Sequence, residues 1–321
     1  MADPQLGVVT IGLNEGERLK RCLSSLPADA RVVYVDSGSS DGSVQLALLA
    51  GAAVVKLDLA RPFTAARARN EGLARLIGEA PETQYVQFLD GDCELEEAWL
   101  SPAVAFLEKN PSVAVACGRR RERLRAASLY NAWMDEEWDT PIGPAASCGG
   151  DALMRVSAIC EAGGYDDGII AGEEPELCAR LRELGWAIHR LDLPMSVHDA
   201  NMHRFRQWWL RAVRSGYGYA QVWCKTASCR TGRLYSRELL RAFGWTLGVS
   251  ALALGFALVA GGEWMLFGAG LWGIQFLRLA RRDGVRKAAH LMLGKWAEIF
   301  GVSRFAAAAL LRRERRAILY K

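Results

Sequence analysis

Residues 6–117 alternate between short apolar runs and amphipathic stretches. Residues 6–13 carry Val8, Val9, Thr10 and Ile11 in one apolar run, which predicts a buried strand. Leu19, Cys22, Leu23 and Leu26 then recur at helical spacing over residues 15–26, and Pro27 closes that helix. Residues 31–35, 53–57, 85–89 and 113–117 predict four further strands. Between them fall helices over 64–77 and 97–110, and one that follows the polar turn 37–42 and is capped by Gly51. Such alternation predicts an α/β fold, a Rossmann-like, mostly parallel sheet with helices on both faces. Ligands of such sheets sit at the carboxyl ends of the strands. Three polar clusters fall there: Asn14-Glu15, Asp36 to Asp41, and Asp90-Gly91-Asp92.

The pattern is less regular up to about residue 193. Pro175 there suits the first turn of a helix ending near Leu184, with Gly185 as its cap, so Glu173 and Glu174 stand at the helix entrance. Residues 242–262 carry no charge, Glu263 interrupts, and 264–277 form a second uncharged run of 14 residues. A span needs about 20, so the first run is long enough and the second is short, as in a re-entrant segment. Arg230, Arg233, Arg237 and Arg241 precede the pair, and Arg278, Arg281, Arg282, Arg286 and Lys287 follow it. Basic residues on both flanks put both on the cytoplasmic side, which a hairpin satisfies. The expected organisation is a catalytic domain over 1–228 and a helical membrane-anchoring region over 229–321. The latter holds hairpin arms at 242–262 and 264–279 and a basic amphipathic tail. A helical hairpin buried against the domain is the plain alternative.

Charge and composition sharpen this picture. A net charge of +4 is too small to argue for nucleic acid, but its distribution is lopsided: residues 281–321 hold eleven Lys/Arg against three Asp/Glu. A basic tail beside an apolar stretch suits an anionic membrane surface, and no recognition helix or aromatic platform for nucleic acid is evident. The opening Met-Ala-Asp-Pro-Gln has neither the basic start nor the apolar core of a secretory signal. Eight cysteines without a Cys-x-x-Cys pair read as core thiols in a reducing compartment, so the catalytic part is expected in the cytoplasm.

Asp90 and Asp92, one residue apart at a strand end, can hold Mg²⁺ or Mn²⁺ through oxygen and leave positions open for phosphate. Turn-forming acids would look the same. Asp36 and Asp41 frame a turn in which a carboxylate could receive a uracil-like base or a ribose, with Ser39 holding the turn; a helix cap is the alternative. Arg67, Arg69 and Asn70 lie on one stretch where a guanidinium could reach base or phosphates, while a helix-surface role fits one of the two arginines. His198 could complete a metal shell or touch a diphosphate, or be an ordinary polar histidine. Arg211 and Arg214, at helical spacing, could clamp a diphosphate or face lipid headgroups.

In order along the chain stand Val-Thr-Ile-Gly-Leu-Asn14-Glu15, Val35-Asp36-Ser-Gly-Ser39-Ser-Asp41-Gly42, Ala-Arg69-Asn70-Glu-Gly72 and Phe-Leu-Asp90-Gly91-Asp92. Gly149-Gly150-Asp151-Ala-Leu-Met-Arg155, Gly163-Gly164-Tyr165-Asp166 and Gly172-Glu173-Glu174 follow. This succession resembles glycosyltransferase family 2 over roughly residues 6–215. The resemblance implies a GT-A fold, a nucleotide-diphosphate-sugar donor with UDP favoured, a divalent metal and inversion at the anomeric carbon. It implies that Asp36 contacts the base, that Asp92 is the chief metal ligand with Asp90 nearer the ribose, and that Gly149, Gly150 and Asp151 face the acceptor. It matches the family's paired acids to Glu173-Glu174, where Glu-Asp is commoner, with Glu174 as base. One carboxylate taking the acceptor proton opposite the leaving diphosphate is what inversion requires; complementing a helix dipole is the alternative role. Gln207-Trp-Trp-Leu-Arg211 departs from the Gln-x-x-Arg-Trp of processive synthases and implies addition of one sugar. The expected setting is the cytoplasmic face of a bacterial inner membrane, with a lipid-linked glycan or a polyprenyl phosphate as acceptor. A nucleotidylyltransferase or a dehydrogenase would need a glycine-rich loop after the first strand, which Gly12-Leu-Asn-Glu-Gly16 is not. A non-catalytic, membrane-anchored nucleotide-sugar binder would have no need of the paired acids.

Overall fold

The computed structural model describes residues 6–230, 232–311 and Ile318. The N-terminal pentapeptide and, within the tail, residues 312–317 and 319–321 lie outside the described residues. Nine strands form one sheet: β1 Leu6–Gly12, β2 Arg31–Asp36, β3 Ala53–Lys56, β4 Tyr85–Asp90, β5 Cys93–Leu95, β6 Val113–Glu122, β7 Gly143–Ala145, β8 Ala152–Arg155 and β9 Ala187–His198. Their order is β3-β2-β1-β4-β8-β6-β9-β5, with β7 also on β9. The first four pair in parallel and β6 pairs in parallel with β9, whereas β8 runs antiparallel to β4 and β6. The α/β class is as expected, but the sheet is mixed rather than mostly parallel, because β5, β7 and β8 enter it antiparallel to their neighbours.

Helices α1 Glu17–Ser24, α2 Ser43–Leu49, α3 Ala65–Glu79, α4 Leu100–Lys109, α5 Leu129–Glu137, α6 Val156–Glu161 and α7 Glu173–Glu183 flank the sheet. The main core is aliphatic, built from β1, β4, β6 and β8 with the inner faces of α3 and α4. Strand β6 runs on to Glu122 rather than stopping at Cys117. Its charged end, Arg119 to Glu122, pairs with Pro194 to His198 of β9 across a register shift between Arg119 and Arg120, so partners rather than apolarity sustain it.

Beyond the sheet lie α8 Phe205–Lys225, α9 Ser236–Phe243, α10 Val249–Ala260, α11 Trp264–Asp283 and α12 Val285–Leu310. A π-helical stretch, Gly244–Gly248, joins α9 to α10. Ser236–Ala260 is the one described helix long and apolar enough to cross a membrane. Helix α11 folds back along α10, with Gly268 against Ala253. Helix α12 returns to pack on α8 at very short range. A Cβ on Gly216 would lie 2.0 Å from the Glu298 carbonyl oxygen, and one on Gly301 2.1 Å from that of Val213.

Candidate active site

The carboxyl ends of β1 and β4, the start of α7 and the first half of α8 surround a cleft of about 550 Å³. Asn14, Glu15, Arg69, Asp90, Gly91, Asp92, Gly150, Glu173, Glu174, Arg211 and Arg214 all line it. At its centre is the guanidinium of Arg69, which is only 3% exposed. Nη2 donates to Asp90 Oδ1 at 2.9 Å, and Nη1 reaches Glu173 Oε1 at 3.0 Å and Glu174 Oε1 at 2.8 Å. One buried cation thus ties the strand-end aspartate to both acids of α7. Such charge-assisted bonds tolerate little displacement in a low-dielectric site.

The backbone makes this possible at Gly150. A Cβ there would stand 2.5 Å from Arg69 Nη2 and 3.0 Å from Asp90 Oδ2. Gly172, at φ 87°, turns the chain into α7 so that Glu173 and Glu174 occupy its first turn. Burial, then the neighbouring Glu173, push the Glu174 carboxyl up to about 7 against the opposing pull of Arg69. A carboxylate poised there can take a proton at neutral pH.

Asp92 lies on the other side of the Asp90 turn, facing His198 on β9. His198 Nε2 is 3.3 Å from Asp92 Oδ2, and Nδ1 is 3.3 Å from Glu122 Oε2. Burial and the nearby Arg120 lower the His198 pKa, so the ring is neutral at pH 7 and carries one proton. That proton cannot serve both carboxylates, and giving it to Glu122 leaves the Nε2 lone pair aimed at Asp92. A cation held between them suits that arrangement, with Glu122 orienting the ring. Asp92, Cys93 and His198 offer ligand atoms within 4.8 Å of one another. Burial keeps the Cys93 thiol protonated, so the donor set favours a hard cation over a thiophilic one.

Residues 8–141 match the family model Glycosyl transferase family 2. That match, together with the relatives and solved structures below, supports a family 2 glycosyltransferase. The chain is 28% identical over 216 residues to the pre-mycofactocin glycosyltransferase of Mycobacterium tuberculosis, covering 63% of this chain and 44% of that protein. The chain therefore spans less than half the length of that relative. The succinoglycan biosynthesis protein ExoA of Rhizobium meliloti is 25% identical over 275 residues, covering 81% of this chain and 80% of its own. Among solved structures, a mannosyltransferase of Pyrobaculum calidifontis in complex with GDP-Man and Mn²⁺ superposes with a TM-score of 0.63 at 19% identity. That superposition covers 95% of this chain and 89% of the other. It shows a shared GT-A fold.

Several expected residues stand beside the cleft rather than on its wall. Asp36 accepts the N–H groups of Gly38 and Ser39 at 3.0 Å each and the Tyr34 hydroxyl at 3.2 Å, so its carboxylate shapes the turn. Ser39 Oγ accepts the Asn14 N–H at 2.8 Å, stitching the turn to the end of β1. Asp41 Oδ1 accepts the Ser43 N–H at 3.1 Å and its hydroxyl at 2.6 Å, a local turn just before α2, whose N-cap is Gly42. Arg67 is turned away from the cleft. Its guanidinium donates to the carbonyls of Asp58, Arg61 and Pro62 and to Glu71, because a buried arginine must find acceptors close by. Asn70 pins Tyr165 by a reciprocal pair of bonds, Nδ2 to O at 2.7 Å and N–H to Oδ1 at 2.9 Å.

Asp151 is 1% exposed and lies beneath the cleft. It accepts the Asp90 N–H at 3.1 Å and the Ser196 hydroxyl at 2.6 Å, holding the Asp90–Asp92 turn. Gly149 is likewise off the cleft wall, and Gly150 alone of that trio lines it. Arg211 makes a two-pronged pair with Glu137 at 2.8 and 3.0 Å, and Arg214 donates to the Ile170 carbonyl at 3.1 Å. Both still border the cleft.

Arg120 and Glu122 escaped the sequence reading. Arg120 Nη2 approaches Asp90 Oδ2 at 3.4 Å and the guanidinium stacks on Trp138 at 4.8 Å. The charged run Arg119-Arg120-Arg121-Glu122 masked the continuation of β6. Residue type gives no alternation across that run, and only the structure shows residue 122 buried beside an exposed 121.

Proposed function

We propose that the protein transfers one sugar from a nucleotide-diphosphate sugar to a lipid-linked acceptor with inversion, in polysaccharide or glycolipid synthesis at the cytoplasmic face of a membrane. The observation that carries the reading is the single cleft in which Arg69 joins Asp90 to Glu173 and Glu174. A donor diphosphate would lie over Asp90 and Asp92, with Asn14 and Glu15 on the nucleotide side. Asp92, Asp90 and His198 would hold Mg²⁺ or Mn²⁺, which when bound neutralises the departing diphosphate. Glu174 accepts the acceptor hydroxyl's proton as that oxygen bonds to the anomeric carbon. The bond to the diphosphate breaks on the opposite face, and the nucleoside diphosphate leaves with the electron pair. Arg69 fixes the carboxylate's direction through this exchange, and Glu173 keeps its pKa high.

The lipid-linked acceptor is argued from the apolar helix Ser236–Ala260 and the basic residues on both flanks of the hairpin. An anchored enzyme gains effective concentration toward an anchored substrate. The likeness to a succinoglycan biosynthesis protein supports a place in polysaccharide synthesis.

The test is donor hydrolysis by the purified protein over a panel of nucleotide-sugars, with Mn²⁺, with Mg²⁺ and with chelator. Metal-dependent release of one nucleoside diphosphate, abolished in Asp92→Asn and strongly slowed in Glu174→Gln, is expected. Absence of turnover and of metal-dependent nucleotide binding with every donor would overturn the proposal.

A further inference from the structure

Residues 162–172 join α6 to α7 and end at Gly172, the turn from which Glu173 and Glu174 enter the cleft. The segment belongs to no strand, yet Ile169 and Ile170 are 0% and 2% exposed. Its buried backbone groups therefore need partners other than a sheet ladder.

Helix α8 meets this segment along one face. Arg214, Gly218, Gln221, Val222 and Lys225 fall on a single stripe of a 3.6-residue period. Arg214 Nη2 donates to the Ile170 carbonyl at 3.1 Å, and Lys225 pairs with Asp166. A Cβ on Gly218 would stand 2.6 Å from the Ala171 carbonyl oxygen, so the helix backbone and the segment touch there. Val222 Cγ2 lies 3.2 Å from where a Cβ of Gly172 would be. Another side of α8, at Val213 and Gly216, is taken up by α12.

Gln221 is central to the stripe and 1% exposed. Its Oε1 accepts the Ile170 N–H at 3.1 Å, and its Nε2 donates to the Gly168 carbonyl at 2.6 Å. An aliphatic side chain would serve helix packing alone. A buried carboxamide is unfavourable unless its two ends are paired, and here both pair with one stretch of main chain.

We propose that Gln221 is a positioning residue for sugar transfer, fixing the main chain at Gly168 and Ile170 so that the Gly172 turn aims Glu174 into the cleft. The inference rests on the reading of Glu174 as the base. Arg69 grips that carboxylate at its tip, at 2.8 Å, and Gln221 grips the chain behind it. With the rear grip gone, Glu174 keeps its partner but loses its alignment with the attacking oxygen. Gln221 touches none of the donor side of the cleft, at β1, β4 and the start of α3, so donor binding survives. Residues well beyond 141, where the family match ends, thus complete the catalytic arrangement.

The test compares full-length wild type with Gln221→Met, which is similar in length and makes neither bond, and with Gln221→Asn, which is polar but too short to span both partners. In the folded protein, kcat for donor turnover is expected to fall about 10–100-fold. The KM for donor should stay within about twofold. Amide hydrogen exchange, read by mass spectrometry over residues 166–176 without donor, should speed up in both variants. A lower Tm with wild-type kcat marks Gln221 as packing only and overturns the proposal. A loss that appears as weaker donor binding overturns it too, as does unchanged exchange over 166–176. Should Gln221→Met not fold, Gln221→Asn gives the answer alone. Wild-type protein that turns over no donor sinks the transferase reading by itself, and the exchange measurement still judges whether Gln221 holds this segment.

Discussion

The raised pKa of Glu174 makes a prediction with a magnitude and a sign. Moving this carboxyl from its ordinary 4.5 to about 7 costs its ionised form about 3 kcal/mol in the folded state. Between those values the folded protein holds a proton that the unfolded chain has released. Stability therefore falls as pH rises from about 5 to about 7, and the full cost remains at higher pH. Glu174→Gln replaces the carboxylate with a neutral group of the same shape, while Arg69 keeps Asp90 and Glu173 as partners. The variant should thus be more stable than wild type by up to about 3 kcal/mol at pH 8, with the gap closing toward pH 5. It should also lose on the order of 10²–10⁴-fold in turnover. Denaturant unfolding of the detergent-purified pair at several pH values reads the first effect. In wild type, kcat/KM for donor turnover should rise with pH through about 7 as the base sheds its proton. Parallel stability–pH curves for the two proteins, or a wild-type rate with no inflection near neutrality, would refute the reasoning.

Other consequences follow from single contacts. Gly150→Ala forces Arg69 off Asp90 and should cut turnover at least about tenfold, with a smaller effect on unfolding, since its damage is confined to the cleft. Gly301→Ala drives a methyl into the α8 backbone and should destabilise by about 1–3 kcal/mol, read as a lower Tm. Glu122→Gln removes the carboxylate that orients His198 and should weaken Mn²⁺ binding about 10–100-fold in calorimetric titration. Arg67→Ala leaves three loop carbonyls without their donor and should lower stability by about 1–3 kcal/mol. Because Arg67 points away from the cleft, the KM for donor in the folded fraction should change little.

Much of the catalytic half was legible because its signals are local. Strands β1 to β4 each announce themselves as a short apolar run, and right-handed crossovers leave little choice of arrangement once helices lie between them. The same logic put Asn14, Asp36 and Asp90 at one edge of the sheet. The two arms of the α10–α11 hairpin were also visible, since uncharged length and flanking charge are properties of the chain itself. Strands β8 and β9 were not visible. Strand β9 mixes Arg190, Asp192 and Pro194 among its apolar residues and exists through its pairing with β6, 72 residues away at the bond from the Cys117 thiol to the His189 carbonyl.

Residue type named the acids; only the tertiary structure decided what each one does. Asp36 and Asp151 were expected to face ligands, and folding gives their oxygens nearby N–H and hydroxyl partners that the sequence could not name. Arg67 and Arg69 are indistinguishable by pattern, two positions apart on α3. The helix turns one toward a loop and the other into the cleft, where it meets Glu173, 104 residues away. Charge and hydrogen-bonding capacity are written in the sequence. The partners that satisfy them, and hence the pKa of Glu174, depend on burial and on distances that exist only once the sheet has closed around them.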